Sequence, residues 1–372
     1  MKKVAIFYHF IAHYRKEVFL ELEKKGDYHF FADENDYTSQ GIKGVGKEEL
    51  RSFTKTRCIK VYKKFMWQKG VFSNSISHDY DVLIYLANPY YLSTWVSALA
   101  ARMLGKKVFF WTIGWHRPLR PLRDMVKIFY YLIPSGILLY NDRNKKIMKR
   151  IPFLSKKWIF SVYNSVSGID AGNMKERDNI TELDPGYLIC VTRLEKKRGI
   201  DEIIKAMKII EDRHGWRPQL LLVGDGSERD FLVQCAQEYG VQVQFWGSSY
   251  DKEELSSLYS SAAVTVAPGM VGLTAIQSMS HGVPVITHSD NTRQAPESEA
   301  VIENETGFLF EIGNVEGLAN AILKAATIYN SPEDRSKIRA RCLDEVISKW
   351  SPVPQARRIH AAVTGGDDAS TD

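Results

Sequence analysis

The chain has 372 residues, of which 44% are hydrophobic, 12% aromatic and 25% charged, a composition typical of globular proteins. This length predicts about two domains, because a single hydrophobic core rarely grows beyond roughly 250 to 300 residues. The composition argues against a disordered or collagenous chain, and four cysteines without a C-x-x-C spacing argue against a disulfide framework or a zinc knuckle.

Positive charge is concentrated in the N-terminal half of the sequence. Residues 1–165 contain 29 Lys and Arg against 13 Asp and Glu, a net charge of +16, whereas the rest of the chain has a net charge of −10. We therefore expect the N-terminal half to meet an anionic partner: nucleic acid, lipid headgroups or a phosphorylated substrate. Nothing in the later half resembles a known nucleic-acid-binding module, so we expect one of the other two.

Two apolar segments share features with targeting or membrane-spanning sequences. The N-terminal residues 1–15 have no small-residue cleavage site after their apolar run, so we predict a first strand instead of a signal peptide. Residues 82–101 are uncharged over a length that could span a membrane, but Asn88 and Pro89 divide them. We predict a strand, a turn and a helix there.

The first 165 residues alternate between short β-rich runs and helical patterns. Strands are predicted over 4–10, 28–33, 81–87, 107–114, 136–140 and 157–164, and helices over 16–26, 91–104, 144–150 and from about residue 121. This alternation predicts right-handed crossovers and a parallel sheet.

The alternation stops after Asn164 and resumes near residue 187. The fold prediction is α/β, with two Rossmann-like doubly wound parallel-sheet domains facing across a cleft. The predicted parts are an acceptor-binding domain over 1–165, a linker over 166–186, a donor-binding domain over 187–340, and a C-terminal helix with a disordered tail over 341–372. Ser331 is the predicted N-cap of the last helix, with Pro332 at its first position. Ligands of such folds bind at the carboxyl ends of the strands.

Three segments of the second half carry candidate ligand-binding residues. Gly224 and Gly226 form a Gly-x-Gly turn between a strand and a helix, which is a weak signal because a tight turn alone explains it equally well. Arg193 and Arg198 flank the turn after another strand, where guanidinium groups would suit a diphosphate. Solvated loop charges are the alternative there.

The third segment, AVTVAPGMVGLTAIQSMSHGVPVITH, is the most specific. A strand ends at Pro268, two glycines enclose Met270 and Val271, and a helix begins near Leu273 with no acidic residue in its first turn. Free backbone N–H groups and the helix dipole predict an anion site at this point. Plain packing of a strand, a turn and a helix is the alternative.

These motifs together resemble the retaining GT-B glycosyltransferases of the glycogen synthase-like and bacterial mannosyltransferase-type family (group 1 glycosyltransferases). Residues 193–201 resemble the family's R-L-x-x-x-K-G-x-D segment, and the G-L-x-x-x-x-x-M run followed by H-G-V-P-V-I is similar to its donor-site element. Asn164 and Ser165 are similar to the N-G turn before its interdomain linker. The resemblance covers roughly residues 160–315, and the N-terminal half only in architecture.

The resemblance implies a nucleotide-sugar site. Arg193 and Arg198 would hold the pyrophosphate, with Arg198 in place of the usual lysine. Gly247 would lie near the base. The donor-binding residues implied around the phosphates and sugar, together with those at the Gly-x-Gly turn, are Gly224, Gly226, Met270, Gly272, Leu273, Thr274, Gln277 and Glu297.

Two positions depart from the family pattern. Its two glutamates, eight positions apart, fall on Gly269 and Gln277, so neither carboxylate is present. Gln277 can still bond ribose hydroxyls. Glu297 or Glu299 could substitute for the other carboxylate, although a solvated loop or a helix N-terminus would explain both acids.

Acceptor-side candidates lie at predicted strand ends of the first half. His116 occupies a position where the family often places a histidine facing the transferred sugar, and a packing or surface histidine is the alternative. His9, His13 and Arg15 follow the first strand and are further acceptor-pocket candidates.

The helix predicted from Pro121 is amphipathic. Arg120, Arg123 and Lys127 fall on one side, and an apolar set that includes Phe129 falls on the other. Beside a net charge of +16, this predicts a contact with an anionic membrane surface. Packing of the helix on its own sheet is an equal alternative.

The sequence thus predicts a metal-independent glycosyltransferase, cytoplasmic and peripheral at the inner face of the cell membrane. It would use a UDP- or GDP-sugar as co-substrate and no other cofactor, with His116, Arg193 and Arg198 in the catalytic site. The predicted acceptor is a glycan or polyprenyl-diphosphate-linked glycan in bacterial surface polysaccharide assembly (O-antigen, capsule or exopolysaccharide), with no nucleic acid partner. A catalytically weak GT-B homologue acting as a partner subunit is the main alternative, and a nicotinamide-dependent dehydrogenase is the weakest.

Overall fold

The computed structural model describes residues 2–35, 43–117, 119–166, 181, 183–184 and 186–365, with the side chains of residues 121–123 left out. The chain divides into two compact units. The first comprises Met1–Ser167 and Ser351–Asp372, and the second comprises Gly168–Trp350. Most of the predicted linker and the predicted tail beyond residue 365 lie outside the described residues.

The first unit is built on a seven-stranded parallel sheet of order β3-β2-β1-β6-β7-β8-β9. Its strands and helices are β1 Val4–Phe10, α1 Lys16–Lys25, β2 Tyr28–Asp33, β3 Phe53–Lys55, β4 Arg57–Tyr62, β5 Phe65–Lys69, α2 Val71–Ile76, β6 Val82–Leu86, α3 Leu92–Met103, β7 Lys107–Thr112, α4 Pro121–Leu132, β8 Gly136–Leu139, α5 Asp142–Lys149 and β9 Trp158–Ser161. The central strands β1, β6 and β7 are mostly apolar and buried, as expected for a parallel sheet with helices on both faces.

The second unit has a six-stranded parallel sheet of order β12-β11-β10-β13-β14-β15. Its elements are β10 Tyr187–Val191, α6 Ile200–His214, β11 Gln219–Val223, α7 Arg229–Tyr239, β12 Gln242–Gly247, α8 Lys252–Ser260, β13 Ala262–Ala267, α9 Leu273–Ser280, β14 Val285–His288, β15 Gly307–Phe310, α10 Val315–Asn330 and α11 Pro332–Lys349. Two doubly wound parallel-sheet units confirm the predicted α/β fold class.

The C-terminal segment differs from the expected single helix. The α11 helix begins as predicted, since the Ser331 hydroxyl accepts a hydrogen bond from the Asp334 amide and Pro332 occupies the first position. A second helix, α12 (Pro352–Thr364), follows and packs on the first unit. There Gln355 accepts a hydrogen bond from the Ser165 hydroxyl at 2.6 Å and donates one to the Tyr163 carbonyl at 2.6 Å.

The long uncharged segment 82–101 forms strand β6, a turn and most of helix α3, as predicted. No helix in the described part of the chain has both the length and the apolar character needed to cross a membrane.

Apart from α12, three parts of the first unit were not predicted, and one of them is the short helix α2. Strand β3 pairs with β2 at the edge of the sheet, and β4 and β5 form a separate antiparallel hairpin. The hairpin segment is rich in lysine, so its sequence lacks the apolar run by which the sheet strands were recognised.

Candidate functional site

A cavity of about 190 Å³ lies within the second unit, at the carboxyl ends of β10 and β13. These strands are parallel neighbours, so the loops that follow them meet at one edge of the sheet. The cavity is lined by residues 190–192, Arg198 and residues 265–274. Open α/β folds bind their ligands at this edge.

The N-terminus of α9 forms one wall of the cavity. The helix begins at Leu273 after Gly272, whose position carries no side-chain cap, and its first turn has no acidic residue. The amides of Leu273 and Thr274 have no hydrogen-bond partner among the described residues, whereas the Ala275 amide bonds to the Gly272 carbonyl at 2.9 Å. Two free N–H groups and the positive end of the helix dipole therefore face one small space, as the sequence predicted.

Arg198 forms the opposing polar group. Its Nη1 donates a hydrogen bond to the Met270 carbonyl at 2.7 Å, which holds the guanidinium against the loop that precedes α9. Its Nε is buried and has no hydrogen-bond partner among the described residues. Because a buried N–H without an acceptor is costly, this donor is suited to an anionic ligand in the cavity.

Gly269 allows the Arg198 loop to approach. The Gly269 amide donates to the Arg198 carbonyl at 3.0 Å. A Cβ atom at position 269 would lie 2.7 Å from the Lys197 carbonyl oxygen and 2.8 Å from the Arg198 Cα. Backbone occupies the space, so a glutamate cannot be accommodated here without moving Arg198.

Gln294, which was not among the predicted site residues, also holds this loop. The side chain is 8% exposed. Its Oε1 accepts a hydrogen bond from the Val271 amide at 2.8 Å, and its Nε2 donates to the Thr287 hydroxyl at 2.8 Å and to the His288 carbonyl at 3.0 Å. Nothing local in the sequence distinguishes this glutamine from its polar neighbours, because the loop that it contacts at Val271 lies 23 residues before it in the chain.

Arg193 is not among the residues that line the cavity. Its side chain is half exposed and lies 3.8 Å from a carboxylate oxygen of Glu195. A hydrogen bond from Lys197, aided by charges that include both Arg193 and Arg198, holds the pKa of Glu195 below its usual value. Arg198 lines the cavity and Arg193 does not, so only one of the two predicted arginines is positioned there.

The Gly-x-Gly turn has a packing role in the structure. A Cβ atom at Gly224 would lie 1.8 Å from the Thr192 carbonyl oxygen, and one at Gly226 would lie 2.3 Å from the Leu194 carbonyl oxygen. The glycines let the loop after β11 touch the loop after β10. The Gly224 amide donates to the Gly247 carbonyl at 2.7 Å. None of the three glycines lines the cavity.

Glu297 lies beside the start of α9. It is 5% exposed, and one of its carboxylate oxygens lies 3.7 Å from the position that a Cβ on Gly272 would occupy. Glu299 and Gln277 are partly exposed and do not line the cavity. Within the described part of the chain, no three or more His, Cys, Asp and Glu side chains are grouped so as to hold a metal ion.

The histidines predicted near the acceptor have different environments in the first unit. His9 is buried and its ring stacks on Tyr91 with centroids 3.3 Å apart, and burial lowers its pKa to about 3. His13 is about half exposed, and its Nε2 lies 3.5 Å from a Glu49 carboxylate oxygen. His9 is therefore neutral at physiological pH.

Arg15 is held within the first unit by aromatic residues. Its Nη1 donates to the hydroxyl groups of Tyr8 at 2.6 Å and Tyr140 at 3.2 Å. Its guanidinium also lies 5.1 Å from the centre of the Tyr140 ring and 6.0 Å from that of Trp111. These contacts give the side chain a packing role in the free protein.

His116 lies beyond the end of β7 and is exposed. Desolvation, followed by the positive charges of Lys127 and Arg117, lowers the pKa of its imidazole. The ring is therefore neutral at pH 7.

The predicted basic face of α4 is not formed as expected. Lys127 turns inward: its Nζ donates to the Gly114 carbonyl at 3.0 Å and lies 4.5 Å from the centre of the Trp115 ring. Burial, with the charge of Arg117, lowers the pKa of Lys127 to about 8. Arg120 is exposed, and the side chain of Arg123 lies outside the described residues.

The solvent side of α4 is apolar instead. Met125, Val126 and Phe129 are between 52% and 66% exposed. The neighbouring helix α3, whose Trp95 ring lies 4.6 Å from that of Tyr130, exposes Val96, Leu99 and Met103. Two adjacent helices therefore present apolar side chains to solvent.

Most of the second unit matches a known protein family. Residues 174–341 match the family described as glycosyl transferases, group 1. Among curated proteins, the glycogen synthase of Francisella tularensis subsp. novicida (strain U112) is 26% identical over 182 residues, and that of Francisella philomiragia is 28% identical over 182 residues. Each match covers 46% of this chain and 36% of the relative, so the chain matches only about a third of each relative's length.

Solved structures match almost the whole chain. The lipopolysaccharide outer core galactosyltransferase WaaB has a TM-score of 0.69 at 15% identity, covering 98% of this chain and 99% of that one. HepE of Anabaena, solved in complex with UDP, has a TM-score of 0.69 at 16% identity, with 98% and 100% covered. Sucrose-phosphate synthase of Thermosynechococcus elongatus has a TM-score of 0.64 at 17% identity, with 96% and 97% covered. At these identities the likeness establishes the fold.

Proposed function

We propose that this chain, a GT-B protein whose second unit is a group 1 glycosyl transferase domain, transfers a sugar from a UDP- or GDP-sugar to an acceptor hydroxyl. One observation carries the proposal. Arg198, whose buried Nε has no partner among the described residues, lines a cavity of about 190 Å³ at the carboxyl edge of the sheet together with Leu273 and Thr274, whose amides are free. That arrangement suits the diphosphate of a nucleotide sugar.

The chemistry follows from the charge that develops on the leaving group. Transfer breaks the bond between the anomeric carbon and the phosphate oxygen and forms one between that carbon and the acceptor oxygen. The leaving diphosphate gains negative charge, which Arg198 and the α9 amides stabilise without rearranging. The acceptor proton passes to the leaving phosphate. Retention of anomeric configuration is part of the proposal and is supported by the family resemblance.

Binding of nucleotides by purified protein tests the donor site. Arg198→Ala should weaken binding of UDP or GDP by about 1.5 to 3 kcal/mol, the range for a charge-assisted hydrogen bond. Arg193→Ala should weaken it less, since Arg193 does not line the cavity. Arg217→Ala is the matched control, because this exposed arginine pairs with Glu211 in the same unit.

Calorimetric titration with UDP and GDP, and with a panel of their sugar derivatives, measures these effects and selects the base and sugar. Unchanged nucleotide affinity in Arg198→Ala would remove the basis of the proposal.

Transfer should also persist in excess EDTA, because Arg198 and the helix terminus supply the charge stabilisation that a divalent cation gives in other enzymes. Loss of activity on chelation, restored by Mn²⁺ or Mg²⁺, would contradict the proposed site.

The acceptor is proposed to be a lipid-linked glycan at an anionic membrane surface, as in bacterial surface polysaccharide assembly. Support comes from the net charge of +16 over residues 1–165 and from the exposed apolar side chains of α3 and α4. Phe129 is 58% exposed on that surface, and Arg120 is exposed at the N-terminal end of α4. Transfer to a lipid-diphosphate-linked glycan, compared with the same glycan free in solution, tests this acceptor class.

A second candidate, a catalytically weak partner subunit, is favoured by one observation. Both family glutamates are absent, and position 269 has no room for one. Assays of donor hydrolysis and of sugar transfer separate the two functions. Nucleotide binding without turnover of any tested donor would favour the subunit.

A further inference from the structure

We propose that the β4–β5 hairpin, residues Arg57–Lys69, is the electrostatic contact of the first unit with an anionic membrane. This inference deepens the proposed function, and rests on it only in naming the surface at which a lipid-linked acceptor is met. The hairpin is a two-stranded sheet of its own, beside the seven-stranded sheet.

The hairpin carries unbalanced positive charge. It has five basic residues and no Asp or Glu, and all five are exposed. They are Arg57, Lys60, Lys63, Lys64 and Lys69. None of them has a carboxylate partner among the described residues, whereas the nearby Lys55 and Lys16 pair with Glu34 and Glu49. Such unneutralised charge attracts an anionic surface.

The tip of the hairpin adds apolar and aromatic surface to this charge. Val61 is 54% exposed and Tyr62 is 62% exposed. The Nζ of Lys63 lies 5.2 Å from the centre of the Tyr62 ring. A tyrosine flanked by lysines suits the headgroup region of a membrane, where the ring body is apolar and its hydroxyl stays hydrated. A soluble polyanion would be matched by the lysines alone and would leave the exposed valine and tyrosine unexplained.

The base of the hairpin is fixed to the unit. Gln68 is 2% exposed, and its Nε2 donates to the Tyr8 carbonyl at 2.8 Å and the Thr56 hydroxyl at 2.7 Å. The Cys58 amide donates to the Asp33 carboxylate at 2.6 Å. On β5, the Met66 amide donates to the Tyr90 carbonyl at 2.9 Å, and the Nζ of the neighbouring Lys64 donates to the Tyr90 hydroxyl at 2.8 Å. The tip is therefore presented by a rigid base.

The hairpin supplies exposed positive charge that α4 lacks at Lys127. Lys127 is directed to the Gly114 carbonyl, so the charges expected on the face of α4 are reduced. The hairpin has its cations on the surface, and β5 adjoins the start of α3 through the hydrogen bond from the Gln68 amide to the Ser93 hydroxyl at 3.0 Å. Attraction by the hairpin and apolar contact by other residues would give reversible binding.

Vesicle sedimentation of the full chain tests the inference. Wild type should sediment with vesicles of equal parts phosphatidylcholine and phosphatidylglycerol at low salt, less at high salt, and not with phosphatidylcholine alone. The triple variant Lys60→Gln, Lys63→Gln, Lys64→Gln should bind about 100-fold more weakly, since each lysine near an anionic surface contributes roughly fivefold. Tyr62→Ser should weaken binding by a smaller factor.

The matched control removes three exposed lysines elsewhere in the first unit: Lys2→Gln, Lys3→Gln, Lys146→Gln. It should retain most of the wild-type binding. The inference would be overturned if the control variant lost as much vesicle binding as the triple variant, or if wild type did not sediment with the anionic vesicles. It would also be overturned if Tyr62→Ser bound vesicles as well as wild type does and wild type bound a soluble polyanion equally well. Melting temperature and UDP binding of the hairpin variants should match wild type. A wild type that binds vesicles but no nucleotide would contradict the proposed donor site and leave the hairpin inference standing.

Discussion

At the scale of single residues, the cavity of the second unit depends on close backbone contacts as much as on charged groups. Arg198 is held by the Met270 carbonyl, and Gly269 lets the two loops touch. The absence of a family glutamate at position 269 is therefore a packing requirement of this chain. Gln277 is only partly buried on α9, so its replacement of the second glutamate is under no such constraint.

Gly269→Glu should consequently fail to restore a family-like site. The new side chain would meet the backbone of Lys197 and Arg198, and overpacking of this kind costs about 1 to 3 kcal/mol. We expect a lower melting temperature and weaker UDP binding, whereas Gln277→Glu should leave the melting temperature close to that of wild type. Thermal unfolding with and without UDP measures both effects. Stronger UDP binding by Gly269→Glu would show that the loops can separate.

The lowered pKa of His9 leads to a prediction about how the free energy of unfolding depends on pH. Its pKa in the folded protein is about 3, below the ordinary value of 6.5, because the ring is buried. Between these two values the unfolded chain binds a proton that the folded chain does not, so the free energy of unfolding falls as the pH is lowered from 6.5 toward 3. Well below pH 6.5, the His9 contribution approaches about 1.4 kcal/mol per pH unit.

His9→Phe should remove this contribution while keeping the stacking on Tyr91. The variant should therefore lose less stability than wild type between pH 6.5 and pH 4.5, which urea unfolding at a series of pH values measures. Parallel curves for the two proteins would mean that His9 is protonated in the folded state at an ordinary pKa.

At the scale of elements, α9 combines a structural and a ligand-binding end. Its interior is fixed to β13 by the hydrogen bond between the hydroxyl groups of Thr265 and Ser278 at 2.6 Å. Its N-terminus has no side-chain cap and no acid, although both would stabilise a helix. The chain thus forgoes local stability where an anion is proposed to bind.

Thr274→Asp separates these two effects. A carboxylate in the first turn of α9 interacts favourably with the helix dipole, by about 0.3 to 1 kcal/mol, but repels a bound diphosphate. We expect unchanged or raised melting temperature together with at least tenfold weaker UDP binding. Thr274→Asn, which has similar shape and no charge, should bind UDP much more like wild type. Equal affinities in the Asp and Asn variants would argue against an anion at this helix end.

At the scale of the whole molecule, the chain leaves the first unit near residue 167 and returns to it at Ser351. Helix α12 completes the core beside α1 and β2, and the Tyr28 hydroxyl hydrogen-bonds to Nδ1 of His360 at 2.9 Å. The first unit therefore depends on the last part of the chain for its stability.

Ile359→Ala should destabilise the first unit by about 2 to 5 kcal/mol, because Ile359 is fully buried in that core. Ile347→Ala, at a position 45% exposed on α11, should change stability by less than about 0.5 kcal/mol. Hydrogen exchange locates the effect: protection should fall in α1 and β2 and persist in α6 and α10. Equal loss of protection in both units would show that they unfold together.

The sequence by itself determined the alternating strands and helices of both units, because each carries its signal in short periodic runs. It also determined the cap of α11 at Ser331 and the uncapped, acid-free start of α9, since Gly272, Leu273 and Thr274 are neighbours in the chain. Such features depend on contacts within a few residues, which local patterns record.

Only the tertiary structure decided which residues, distant in the chain, lie against these locally determined features. Four findings depend on contacts that no local pattern records. They are the hydrogen bond of Gln294 to the loop before α9, the inward turn of Lys127, the position of Arg193 outside the cavity lining and the return of α12 to the first unit. The hairpin was missed for a related reason. Its strands are stabilised by pairing with each other and by the buried Gln68, whereas the charges on its exposed side mask the apolar alternation by which a strand is recognised.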